Sequence, residues 1–379
     1  VKEGTELLII SYDPFVNDLE QYVEWKKQTG MTVTVMQYSN VNGEYSSLDG
    51  TRSIWQFVHD TFFGDEKNLK YVLLMGEPKY VPTLMAWDQD PYGSEPNTLP
   101  ADTYFACLDG DYNVWNRDGD DRWGETNDIQ DHVPDVYVSR VSADNDNEVL
   151  NWAKKVVNYE KNPAIGDWSS KVGLFGSTTH STDDGPTQCE YYWNDYLRYV
   201  YQTPDKYYSS GSVQSQTGAK VLNYQNINSG FNSGLSSVVY MGHGLANVWS
   251  EGTQQSSQLI FTTNEAEDLR QSPKLPFISA MSCETNWFDN GYAGASRTTE
   301  GGIGYAGDLP GAPGIQQGIL LKMSEGYRSQ GEIFHEGKES YVDEWGAYFN
   351  QQQWIYNAWL EHNLLGSPET RIWTEEIST

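Results

Sequence analysis

The sequence predicts an α/β protein of two consecutive subdomains, each with a mostly parallel sheet flanked by helices. Three observations carry this expectation. Short runs rich in β-branched residues are apolar along their whole length, as strands buried on both faces are. They alternate with segments whose apolar residues recur at helical spacing. The rhythm then restarts in the second half of a 379-residue chain, which is too long for one ordinary core.

The first half opens with Glu6–Ser11 (ELLIIS), a buried strand that runs into a turn at Tyr12, Asp13 and Pro14. Phe15–Gln28 follows as a helix, with Phe15, Leu19, Tyr22 and Val23 on one face and Gly30 closing it. Met31–Gln37 alternates as a second strand, which completes a βαβ unit. Thr51–Phe62 reads as a helix, and Tyr71–Met75 and Val136–Val141 as strands. Residues 84–135 lack a period and are rich in Asp, Gly, Pro, Asn, Trp and Tyr, so they form a long ordered insertion. The next helix is capped by Ser142, Asp144 or Asn145, carries Val149, Trp152, Val156 and Tyr159 on one face, and stops at Asn162–Pro163.

That stop places the boundary between subdomains 1–165 and 166–379. The second half is expected to hold strands at Lys171–Phe175, Ser237–Met241, Leu275–Ala280 and Gly302–Tyr305, and a helix around Cys189–Tyr201. A helical stretch at Tyr348–His362 and a short strand at Thr370–Thr374 close the chain.

Composition narrows the function. The 53 acidic residues outnumber the 24 basic ones, and a net charge of −29 repels phosphate backbones, so nucleic acid is not an expected partner. The acids are partly clustered, which fits either a solvated surface or cation binding. Aromatic residues make up 14% of the chain, as in a folded protein rather than a disordered one. No run of 18 apolar residues is present, so no membrane span is expected. Val1 is not followed by a charged and then apolar leader; if the chain is exported, its signal peptide has already been removed. Three cysteines, Cys107, Cys189 and Cys283, leave at least one thiol outside any pairing.

Two strand ends in the second half concentrate the reactive groups. Ser237–Met241 runs straight into Gly242, His243 and Gly244, and Leu275–Met281 into Ser282, Cys283 and Glu284. In open parallel sheets ligands bind beyond the carboxyl ends of the strands, so both side chains are expected at one edge. A thiol beside an imidazole can be held as thiolate, and the imidazolium can then protonate a leaving amine. Gly242 and Gly244 give the backbone room beside the imidazole, and the amides of Gly244 and Cys283 are candidates for an oxyanion hole. The sequence has no G-x-S-x-G, H-E-x-x-H, C-x-x-C or phosphate-binding loop to compete with this pair.

The same segments carry a family resemblance. Val238–Gly244 (VVYMGHG) and Leu275–Cys283 (LPFISAMSC) resemble the His and Cys blocks of the gingipain-like cysteine peptidases. Tyr71–Pro82, Pro100–Asp111, Pro134–Val141, Tyr159–Pro163 and Leu365–Trp373 agree with that family in order and spacing. The resemblance implies a caspase-like α/β/α sandwich and a secreted or cell-surface endopeptidase, of bacterial-type export, acting on protein or peptide substrates. It implies that Cys283 is the nucleophile, His243 the general acid/base, and an acid after Lys171–Phe175 the residue that orients the imidazole. Asp184 is favoured for that role, with Asp183 and Glu190 as alternatives.

The resemblance also implies a basic residue before the scissile bond, for which Asp308 and Trp287 are the expected contacts. The connection Gly291–Glu300 departs from the gingipains, so specificity is open. Structural calcium is expected in the acidic insertion, where Asp109, Asp111, Asn113, Asp118, Asp120 and Glu125 alternate as oxygen ligands among glycine turns. They do not match an EF-hand, because Asp121 stands where the turn glycine belongs and Asn127 where the bidentate Glu belongs. The rival reading is a non-catalytic protein- or glycan-binding module that uses the aromatic residues of 84–135.

Overall fold

A computed structural model describes residues 1, 3–64, 68–87, 98–128, 131–245, 247–253, 256–267, 269, 273–283, 285–286, 288, 304–308, 313–351 and 353–378. Its first half contributes β1 (Leu7–Ser11), β2 (Val33–Gln37), β3 (Tyr71–Met75) and β6 (Tyr137–Val141). The insertion adds a small antiparallel pair, β4 (Met85–Trp87) and β5 (Thr98–Pro100). The second half contributes β7 (Lys171–Gly176), β8 (Thr203–Tyr208), β9 (Lys220–Val221), β10 (Ser237–Met241), β14 (Phe277–Met281), β15 (Gly304–Asp308) and β16 (Asn363–Gly366). A three-stranded antiparallel sheet of β11 (His243–Leu245), β12 (Val248–Thr253) and β13 (Ser256–Thr262) rises from the end of β10.

Each half builds its own mostly parallel sheet, and the two meet edge to edge. The order is β2-β1-β3-β6-β16-β15-β14-β10-β7-β8-β9. Strand β16 makes the join, antiparallel to β15 and parallel to β6 through the Leu365–Arg140 pairing. The central strands β1, β3, β10 and β14 are buried along their whole length, which is why they read as continuous apolar runs. Helices flank the array. The helix Asp146–Lys161 begins where expected, and Asn145 is its cap: the side-chain oxygen accepts from the Glu148 amide at 3.2 Å, while its Nδ2 donates to Glu148 Oε1 at 2.9 Å.

Several elements depart from the sequence reading. The expected helix Phe15–Gln28 is α-helical only over Glu20–Gln28, because Pro14 opens a tighter 3₁₀ segment, Asp13–Leu19. The helix expected at Cys189–Tyr201 starts earlier, at Asp184, and ends at Asp195. The stretch Thr370–Thr374 forms no extended strand: its only β pairing is a single antiparallel bridge between Arg371 and Ser329, with the Ile372 amide on the Arg328 carbonyl, and the Trp373 amide goes instead to the Tyr159 hydroxyl. The C-terminal helix covers Gln353–Glu361, and a longer helix, Gln330–Trp345, precedes it. Within the insertion, Tyr104, Phe105 and Trp115 belong to the main core, so much of its aromatic content has a packing role.

Candidate active site

Strand register brings the reactive groups together. Strand β10 lies between β7 and β14, paired in parallel with both, and Met241 is level with Gly176 and Met281. The ladder continues one step further, as the Gly242 amide donates to the Met281 carbonyl at 3.1 Å and the Ser177 amide to the Met241 carbonyl at 2.8 Å. Ser177–Thr179, Gly242–His243 and Ser282–Cys283 therefore leave the sheet at one level, on one edge. His243 and Cys283 are both half-buried, screened from bulk water but reachable.

The glycines flanking His243 are required by space rather than by unusual dihedrals. Neither Gly242 nor Gly244 has a positive φ. A Cβ on Gly242 would lie 2.7 Å from the Ser177 Cβ, and one on Gly244 would lie 2.7 Å from the Cys283 carbonyl oxygen. The His243–Gly244 backbone thus packs directly on the turn that carries the thiol. That turn is closed by Ser282 and Thr285, whose hydroxyls are 2.9 Å apart. Beneath the imidazole, the Tyr240 hydroxyl lies 2.8 Å from the His243 carbonyl and 2.9 Å from that of Ser250, and Trp249 stacks on the Tyr240 ring at 4.2 Å. These contacts fix β11 and β12 to the end of β10.

The imidazole is oriented by a carbonyl. His243 Nε2 is 3.0 Å from the Thr179 carbonyl oxygen, an atom that can only accept, so Nε2 carries the proton and Nδ1 is the basic nitrogen of the neutral ring. Asp184 holds the loop that presents this carbonyl. Its carboxylate accepts from the Thr179 amide at 3.0 Å, the Thr179 hydroxyl at 2.7 Å, the His180 and Ser181 amides at 2.8 and 3.0 Å, and the Gly185 amide at 2.8 Å. Burial pulls its pKa upward, but these donors outweigh burial and hold it down at about 2. Asp184 therefore meets His243 one residue removed, through Thr179.

The two alternatives are engaged elsewhere. Asp183 accepts from the Ser212 and Val213 amides, both at 3.0 Å, and is the one non-glycine residue with positive φ (72°) among those described. Glu190 pairs with Lys206 at 2.7 Å and accepts from the Tyr208 hydroxyl at 2.7 Å. Asp308 ends β15 with its backbone level with Met281, two residues short of Cys283. Trp287 lies outside the described residues. Cys107 and Cys189 are buried free thiols, and burial pushes both pKa values up, away from thiolate chemistry.

Sequence reasoning missed a buried network that anchors the thiol-bearing loop. Asn286, three residues past Cys283, donates from Nδ2 to the Asn363 carbonyl at 2.8 Å. Asn363 Oδ1 accepts from the Asp102 amide at 3.1 Å, and Arg140 grips the Asp102 carboxylate through Nε and a terminal nitrogen at 2.7 and 2.8 Å. Arg140 also donates to the carbonyls of Gly76 and Val81 at 2.8 and 2.7 Å and lies over the Phe288 ring at 5.3 Å. The signal was an arginine inside the apolar run Val136–Val141, because a charge in a buried strand needs a partner. His180 was also missed; its ring is 6.2 Å from that of His243, with Nδ1 3.1 Å from the Thr179 hydroxyl.

In the insertion, the six proposed oxygen ligands divide. Carboxylate oxygens of Asp118, Asp120 and Glu125 lie within 4.8 Å of one another. Asp109 and Asp111 belong instead to a neighbouring turn, where Asp111 accepts from the Asn113 amide at 2.8 Å and the Asp109 amide donates to Asp131 at 3.2 Å. Asp128, which interacts electrostatically with Asp118 and Glu125, was not foreseen and is fully buried. Its Oδ1 accepts from the Arg117 amide at 3.0 Å, and no described donor reaches its Oδ2. Burial first, and then neighbouring carboxylates, raise the pKa of Glu125 and Asp128.

Known proteins share the sequence family and the fold. The family model described as peptidase family C25 matches residues 1–373. Gingipain R2 of Porphyromonas gingivalis is 24% identical over 288 residues, 74% of this chain and 32% of the relative. Gingipain R1 of the same organism is also 24% identical over 288 residues, covering 24% of its length. The chain thus spans about a third or less of the curated relatives it matches. Among solved structures, the Arg-specific cysteine proteinase gingipain R (RgpB) superposes with a TM-score of 0.74 at 21% identity, over 99% of this chain and 79% of that one. The complex of RgpB pro- and mature domains gives 0.72 at 20% identity, over 98% and 80%. The fold is therefore the caspase-like α/β fold of gingipain R, and the chain belongs to peptidase family C25.

Proposed function

We propose that this chain is a cysteine endopeptidase, with Cys283 as nucleophile and His243 as general acid/base. The observation that carries the reading is the in-register pairing of β10 with β14, which sends both residues from adjacent strands off the same edge. In the proposed reaction His243 Nδ1 takes the thiol proton, and the thiolate attacks the scissile carbonyl. The amides of Gly244 and Cys283 hold the oxyanion, and a donor of this kind is worth roughly 3 kcal/mol of barrier. The imidazolium then returns the proton to the leaving amine, and water, deprotonated by the same ring, releases the acyl group. Asp184 is a positioning residue that fixes the Thr179 carbonyl against Nε2.

The similar structure named Arg-specific supports a basic residue before the scissile bond as the preferred substrate feature, with Asp308 and Trp287 as its contacts. The substrates are proteins or peptides, met outside the cell or at its surface after export. Among the described residues, no helix is long and apolar enough to cross a membrane.

Structural calcium is part of the proposal. Asp118, Asp120 and Glu125 would hold the ion. Such an ion supplies no step of the hydrolysis; it relieves the mutual repulsion of the carboxylates and fixes the insertion.

Incubation with peptide libraries and with an acyloxymethyl ketone bearing arginine tests the reading. Wild-type chain should cleave and become labelled at Cys283, and Cys283→Ala should do neither. Cleavage retained by Cys283→Ala would overturn the assignment.

A further inference from the structure

The hairpin sheet that carries His243 exposes two large apolar side chains beside it. Leu245 is 53% exposed and Leu259 64% exposed, while Trp249, Ile260 and Phe261 of the same sheet are buried in the core. Register fixes where they point. His243 pairs with Ser250, and Ser250 with Leu259, so these three side chains form a cross-strand row on one face. Leu245 follows His243 by two residues in the same strand and shares that face, whereas Gly244 between them turns to the Cys283 turn. An irregularity between Trp249 and Ser250 keeps Trp249 and Phe261 inward while Leu259 stays outward.

The direction of the row matters as much as its polarity. Cys283 leaves β14 on one side of β10, and β7 lies on the other. Strand β12 sits over the end of β7: the Gly252 amide donates to the Thr178 carbonyl at 3.0 Å and the Ser177 hydroxyl to the Ser250 carbonyl at 3.3 Å. A line from Cys283 through His243 therefore continues to Ser250 and then to Leu259. The general acid of a cysteine peptidase stands over the nitrogen it protonates, so the far side of the imidazole is the leaving-group side of the substrate. Leu245 lies about 7 Å from His243 along its strand, and Leu259 about 10 Å across two pairings, which is the reach of the second and third residues of an extended peptide.

We infer that Leu245 and Leu259 form a specificity surface that selects an apolar side chain at the second or third residue after the scissile bond. The inference rests on the proposed roles of Cys283 and His243. It adds substrate recognition on the side opposite the basic-residue preference. Exposed leucines separated from water by a bound apolar side chain give the preference through the hydrophobic effect alone, so it should be tolerant of shape and intolerant of charge.

The test is cleavage profiling with peptides that share one sequence before the scissile bond and vary at the three positions after it. Wild-type chain should cleave peptides with Leu or Phe at the second or third position at least fivefold faster, as kcat/KM, than those with Asp or Gly. Leu245→Ser and Leu259→Ser should each reduce that ratio, and the double variant should bring it within about twofold of unity, with circular dichroism and thermal midpoint unchanged. Tyr199→Ser, at an equally exposed aromatic outside this sheet, should leave the ratio as in wild type. An active double variant that keeps the wild-type ratio overturns this inference and leaves the dyad standing. Wild-type chain that cleaves nothing overturns the dyad reading and this inference with it.

Discussion

The carbonyl oxygen of Thr179 lies 3.0 Å from Nε2 of His243, and this one contact joins the loop after β7 to the imidazole at the end of β10. It sets the tautomer of the ring, because a carbonyl accepts and never donates. Asp184 is bound to Thr179 by both its amide and its hydroxyl, so the carboxylate acts on the imidazole through the loop it orders.

Asp184→Asn should lower kcat by about tenfold, a partial loss within the range of general acid–base catalysis, with KM nearly unchanged. The amide keeps one acceptor oxygen but cannot serve the donors that now meet Oδ2. The substitution also has a stability signature. The folded pKa of Asp184 is held below its ordinary value of 3.8, at about 2, so its contribution is fully present above the ordinary value and is lost as pH falls toward 2. Thermal midpoints of wild type and variant should therefore differ at neutral pH and converge across that window.

Gly244→Ala should reduce kcat by about 100-fold or more, the scale of losing an oxyanion donor. Its Cβ would meet the Cys283 carbonyl at 2.7 Å, and neither backbone segment is a flexible side-chain end that can give way. Gly43→Ala is the control, since nothing lies within 4 Å of a Cβ there and the site is helical. It should be neutral or slightly stabilising in denaturant unfolding while full turnover is kept.

Arg140→Met should cost about 3–5 kcal/mol in chemical denaturation, because it leaves the buried Asp102 carboxylate without its cation. Arg140→Lys should rescue only part of that, as an ammonium cannot replace the paired contacts to Asp102 together with those to Gly76 and Val81. A lysine variant as stable as wild type would show that charge alone, rather than the fork geometry, holds this junction.

Calcium removal should lower the thermal midpoint, and readdition should restore it. At a free ion concentration 100 times the dissociation constant the stabilisation is about 2.7 kcal/mol. Asp128→Asn, which removes the buried charge beside Asp118 and Glu125, should weaken the calcium dependence seen in calorimetry. Chelator-insensitive melting of wild-type chain would exclude a structural ion in this cluster.

Acid should destabilise the fold well before Asp184 titrates. His132 packs against Phe349, Tyr356 and Trp359, and burial lowers its pKa from 6.5 to about 4. Burial chiefly lowers that of His335 as well, to about 3. Both rings are neutral when folded and protonate in the unfolded chain below 6.5, so stability falls with pH from there down toward the folded values. His132→Phe should flatten that acid limb in pH-dependent urea titrations.

Much of the fold was legible because its central strands are buried on both faces. ELLIIS, YVLLM, SVVYM and LPFISA are apolar along their length, and each became a central strand. The antiparallel sheet β11–β13 was not read, since its two faces carry apolar residues for different reasons: Trp249 and Phe261 for the core, Leu245 and Leu259 outside it. The long helix Gln330–Trp345 was missed because Gly331, His335, Gly337 and Lys338 stand among its buried positions and interrupt the apolar pattern. Asp128 was passed over because one aspartate in an acidic insertion looks like any other until its burial is known.

By itself the sequence determined that Cys283 and His243 each follow an apolar strand, because strand identity is a local property of side-chain period. Only the tertiary structure decided what surrounds them. The pairing of β10 between β7 and β14 sets Thr179 against the imidazole, and the merging of two sheets at β16 ties Arg140 and Asp102 to the loop after Cys283. Those relationships depend on strand order and register, contacts between residues tens to hundreds of positions apart, and no local pattern encodes them.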